Sequence, residues 1–64
     1  MSVRKDWPVS CQDAVGRRRD IIVLADGERV VLVTPPGETA VLSLPEVERL
    51  RAALLDAIAE AWHE

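Results

Sequence analysis

The residues able to attack, accept a proton or hold a metal are few and scattered. Cys11 is the only cysteine, His63 the only histidine, and the serines are Ser2, Ser10 and Ser43. A catalytic centre needs a nucleophile, a base or a metal with neighbours that tune it, and no such pair is legible here. His63 falls at the carboxyl end of a predicted helix, where an imidazolium serves the helix dipole more readily than a substrate. One cysteine excludes an internal disulfide, and one histidine leaves a structural zinc without ligands. Cys11 itself reads as a small apolar side chain rather than a redox centre. Pro35-Pro36-Gly37 offers few backbone donors and precedes a strand, so it is a turn and not a phosphate loop. The expectation is a protein that is not an enzyme and takes no cofactor or metal.

Binding chemistry is better represented. Arg17, Arg18 and Arg19 form a basic run that could engage nucleic-acid phosphates through guanidinium forks. They could equally be a solvated charge run that keeps the start of an edge strand from pairing with strangers. Net charge is −3 and pI about 5.0, so the average surface is not built for polyanions. The charge is divided, however. Residues 1–20 hold five basic against three acidic side chains, whereas residues 44–64 hold five acidic against two arginines. No apolar run approaches the ~20 residues of a membrane helix, and residues 1–10 lack the apolar core of a signal peptide. A cytoplasmic protein with no membrane partner is expected.

The elements that must position these groups form one domain over residues 1–64. Residues 1–18 show no clear period and read as an irregular arm, with a short strand conceivable near Val9 to Cys11. Residues 19–43 read as a three-stranded antiparallel β-meander. Its first strand is the β-branched run Ile21 to Ala25, closed by Asp26-Gly27, a strong hairpin signal. The second is Glu28 to Thr34, ended by Pro35 to Glu38, and the third is Thr39 to Leu42. Ser43-Leu44-Pro45-Glu46 has the spacing of a capping box, predicting a helix over 44–63. Val47, Leu50, Leu54, Leu55, Ile58, Ala61 and Trp62 then share a stripe of about 140°. The fold class is α+β, with order β-β-β-α.

The meander predicts a partner. With Asp26-Gly27 as the turn, Ala25 faces Glu28, Val23 faces Val30 and Ile22 faces Val31. A four-residue loop at 35–38 sets Thr34 against Thr39. One face then carries Ile22, Leu24, Val31, Val33, Ala40 and Leu42, and the other Ile21, Val23, Ala25, Val30, Leu32 and Val41. A sheet with one solvated face alternates apolar and polar residues, and this one does not. One helix covers one face, so the second, including Val31 and Val33, calls for another chain. A homodimer is the leading expectation, with a regulatory protein partner as the alternative. Arg51 lies inside the apolar stripe beside Trp62 in projection, with Glu48 one turn earlier as its ion-pair partner. The two are ~16 Å apart along one helix, so they can meet only across antiparallel helices of two chains.

The stretch Val31-Leu32-Val33-Thr34-Pro35-Pro36-Gly37, followed by Val41-Leu42-Ser43-Leu44-Pro45-Glu46, resembles the small actinobacterial regulatory proteins of the BldB type. In that family strands and a proline-glycine turn lead into a Val-Leu pair, a serine-proline helix start and a short amphipathic helix. The family's aspartate-serine after the strand is absent here, and its helix aromatics are replaced by Val47 and Leu50. The resemblance spans less than half the chain. It implies a cytoplasmic regulator acting through protein contacts, often beside a DNA-binding partner. The expected function is therefore a small homodimeric interaction module with a regulatory or adaptor role, the alternative being a DNA-binding regulator that uses Arg17, Arg18 and Arg19.

Overall fold

A computed structural model describes residues 5–62. The chain forms a four-stranded antiparallel meander, β1 (Lys5–Gln12), β2 (Arg18–Asp26), β3 (Arg29–Thr34) and β4 (Glu38–Ser43), followed by one helix, α1 (Leu44–Trp62). Strand order in the sheet is sequential. The α+β class and terminal helix agree with expectation. The three-stranded count and the irregular arm do not, because residues 5–12 pair with β2 along their whole length, from Lys5 opposite Ala25 to Gln12 opposite Arg18. Pro8 is compatible with β1 because the strand is an edge, where a residue lacking an N–H costs no ladder bond.

The first inner turn is displaced by one residue and the second is one residue shorter than the sequence implied, and the second difference changes which side chains share a face. The first hairpin closes with Asp26 opposite Arg29. Its central residues are Gly27 and Glu28, and only Gly27 takes a positive φ, 65°. That is the demand of a type II′ turn, positive at its first central position alone. The register therefore moves by two residues, setting Val23 against Leu32 and Ile22 against Val33. A shift of two preserves the faces. The second loop holds three residues and not four, with Thr34 opposite Glu38. The Gly37 N–H donates to the Thr34 carbonyl at 2.6 Å, and Gly37 sits at φ 139°, a region that L side chains rarely adopt. A shift of one exchanges the faces of a strand. Leu42 thus joins Val30, and Val41 joins Val31, the reverse of the expected assignment.

One face of the sheet carries Trp7, Val9, Ile21, Val23, Val30, Leu32 and Leu42, and the other Ile22, Leu24, Val31, Val33 and Val41. Helix α1 lies on the first. Val47, Leu50 and Leu54 approach Val23, Val30, Leu32 and Leu42 around an open cleft of about 200 Å³ that Arg51 also lines. The helix backbone comes close to β3 and β4, and of β2 only Val23 lines the cleft.

The helix start is built as its spacing implied. The Ser43 N–H donates to Glu46 Oε1 at 2.8 Å, and the Glu46 N–H donates to Ser43 Oγ at 3.3 Å. These reciprocal bonds satisfy two of the donors that a helix amino end leaves open. They hold the Glu46 carboxyl below its ordinary value, the Ser43 backbone N–H first and its hydroxyl second. Replacing Ser43 by Ala should lower stability by about 1 kcal/mol, the usual cost of losing such a cap. A urea midpoint unchanged at fixed protein concentration would show that the cap is not what holds the helix to β4.

Candidate functional site

No described residue is buried. In a folded chain with this many valines and leucines, that directs attention to surfaces and not to an enclosed centre. Three features stand out: the overhanging half of α1, the sheet face without a helix, and the arginine-bearing hairpin between β1 and β2.

On α1 the apolar stripe runs the full length of the helix, but the sheet supports only its first half. Val47 and Leu50 are half-buried, and every residue from Arg51 to Trp62 is exposed. Leu55 and Ile58 are 54% and 56% exposed and Trp62 87%. Together with Ala59 these residues form an apolar helix surface that no other described element covers. Arg51 Nη1 lies 3.5 Å from Glu48 Oε1, the pairing the spacing implied, with both side chains in solvent. The expectation for His63 falls outside the described residues. On the sheet face that bears the helix, β1 lies outside the helix contacts, and Trp7 and Val9 are each about half exposed.

The face without a helix presents Val31 and Val33 at its centre, flanked by Ile22, Leu24 and Val41. Asp6, Ser10, Gln12, Arg18 and Asp20 frame it along the β1 side. Of the expected interface residues, Val31 and Val33 therefore belong to this face, whereas Arg51 and Trp62 belong to the helix side. They are two surfaces and not one.

The arginines are organised by a carboxylate that sequence reasoning did not single out. Asp13 Oδ1 accepts from the backbone N–H groups of Val15, at 3.1 Å, and Arg17, at 2.9 Å. Its Oδ2 accepts from Arg17 Nε at 3.0 Å and Arg19 Nε at 3.2 Å. The Asp13 N–H and carbonyl bond across the same loop, to the Arg17 carbonyl and the Gly16 N–H, both at 3.0 Å. Asp13 thus closes the β1–β2 hairpin and engages two of the three arginines. Strand alternation sends Arg18 and Arg19 to opposite faces, since Arg18 opposes Gln12 and Arg19 opposes Cys11. The run is therefore not a continuous phosphate-binding patch. The available signal was an aspartate four residues before an arginine across a Gly16 turn, the pattern of an Asx-type loop. Among the described residues, no group of three or more His, Cys, Asp or Glu side chains is placed to hold a metal ion, and no helix is long and apolar enough to cross a membrane.

No protein-family model, curated protein or solved structure matches the chain significantly.

The Asp13 carboxyl is held below its ordinary value, above all by the Arg17 backbone N–H. Burial opposes this, and the Arg19 guanidinium, the Val15 N–H and the Arg17 guanidinium add to it. A folded-state pKa below the unfolded one means stability that is present above the unfolded value, near 4, and lost as pH falls through the folded one. Substituting Asp13→Asn should make the acid limb of a plot of urea midpoint against pH shallower. Superimposable acid limbs for the two proteins would remove Asp13 as the origin of any acid lability.

Proposed function

We propose that the chain is a cytoplasmic, non-enzymatic homodimeric module that serves a regulatory or adaptor role through protein contacts. The carrying observation is the absence of a core. The chain exposes 5680 Å², against the about 4,100 Å² that a compact monomer of 7.1 kDa exposes. The excess of about 1,600 Å² is twice the ~800 Å² each partner contributes to a standard interface and falls in the obligate range. Its radius of gyration is 13.5 Å, where a compact domain of this length has about 11 Å. One cysteine excludes an internal disulfide, and so small a folded unit is the kind that gains stability from a second subunit.

Two apolar surfaces on opposite sides support the adaptor part of this reading. One can be consumed by self-association while the other remains available to a different protein. The resemblance to BldB-type regulators points to the same class of activity.

Light scattering coupled to size exclusion should report about twice 7.1 kDa at micromolar concentration. A species of monomer mass with the same far-ultraviolet circular dichroism at high concentration would overturn the reading.

A further inference from the structure

We propose that the overhanging half of α1 is an exchanged element: in the dimer, Leu55, Ile58 and Trp62 of each chain seat on the bare β1–β2 half of the other chain's sheet, against Trp7, Val9 and Ile21. This rests on the homodimer reading and assigns its surface.

Three observations lead there. The first is continuity. The helix stripe is one surface, and its first half rests on valine and leucine of β3 and β4. The second half has the same character and is exposed, while the same sheet face continues past Val23, which lines the cleft, onto Ile21 of β2 and onto β1, where Trp7 and Val9 are about half exposed. The second is size. Residues 55–62 extend about 12 Å, and an α-helix is about 10 Å wide, which matches two strands spaced about 4.8 Å apart. The third is closure. The two patches differ, but a twofold axis pairs tail with sheet twice and leaves neither patch open, as a closed assembly requires.

Charge favours the same arrangement. The outer flank of the tail carries Asp56 and Glu60 and no basic residue through Trp62, whereas on the Trp7–Val9 face the charged strand residues of β1 and β2 are Lys5 and Arg19, the latter already paired with Asp13. Asp56 and Glu60 project away from the apolar stripe, so this complementarity steers encounter and orientation and does not form the contact itself. The exchange also sets the two helices antiparallel and side by side. Trp62 of one chain then arrives beside Arg51 of the other, at the mouth of the cleft that Arg51 lines, where a guanidinium can lie over an indole.

Three variants test this by sedimentation and light scattering, with circular dichroism to confirm folding. Val9→Asp on β1 and Ile58→Lys on α1 should each shift the protein to monomer, raising the dissociation constant at least 100-fold. Val41→Asp, on the face without a helix, should leave the dimer intact. Because the patches differ, mixing Val9→Asp with Ile58→Lys should restore a heterodimer: one of its two contacts is unaltered and the other joins the two opposite charges. A dimer lost in Val41→Asp but kept in Val9→Asp and Ile58→Lys would overturn the exchange and leave the homodimer standing. Failure of the mixture to associate would also overturn it. A wild-type monomer would remove the homodimer reading itself.

Discussion

The molecule is governed by a mismatch between apolar sheet surface and the elements available to cover it. β2 and β3 are apolar on both sides, so the sheet needs a layer above and a layer below, and the chain possesses one helix. That helix covers β3 and β4 on one side only. Conformational ordering costs on the order of 1–2 kcal/mol per residue, and burial of apolar area is the main term that offsets it. With none of the described residues fully removed from water, the isolated chain has little to set against that cost. The outline is thin, 48 × 28 × 16 Å, and part of each apolar sheet face stays open, with Val9 on one side and Val41 on the other each about half exposed.

Turn chemistry decides which residues take part. Gly27 and Gly37 each occupy a positive φ at the start or end of a short loop, and each sets a register. Had the second loop kept four residues, Leu42 would point away from the helix and Val41 toward it. The three-residue loop gives Leu42 to the helix side, where it joins Val30 beneath Val47 and Leu50. At the other end of the sheet the Asp13 carboxylate fastens the β1–β2 loop with four hydrogen bonds. Its first effect is local order. A second is to lower the free positive charge of the arginine run.

Where a local rule is strong, sequence and structure agree. The β2–β3 hairpin, the capping box at Ser43 and the extent of α1 all follow from spacing within a few residues. Where two rules compete, the structure departs from the sequence pattern. In β1, Trp7, Val9 and Cys11 alternate with Asp6, Pro8, Ser10 and Gln12, a period-2 signal that was obscured because Pro8 counts against a strand unless the strand is an edge. Face membership in β4 depended on a loop length that Pro35-Pro36-Gly37-Glu38 leaves open between three and four. The role of Asp13 depended on a contact four residues away. Both apolar faces, by contrast, were evident from composition, because runs such as Ile21 to Leu24 lack alternation whatever the register.

The helix overhang follows from the junction between β4 and α1. Ser43 is the last residue of β4 and the cap of α1, so no linker separates strand from helix. The capping box holds Ser43 and Glu46 to each other, and the helix axis therefore leaves the sheet in a direction set by the strand end. To fold its second half over its own β1 and β2, α1 would have to bend sharply. Sharp bends need a proline, a glycine pair or a local bulge, and from Val47 to Trp62 the helix contains neither glycine nor proline. Leucine and alanine make that segment a strong, straight helix former. A rigid helix that does not turn back onto its own sheet leaves the apolar stripe from Leu55 to Trp62 exposed to solvent.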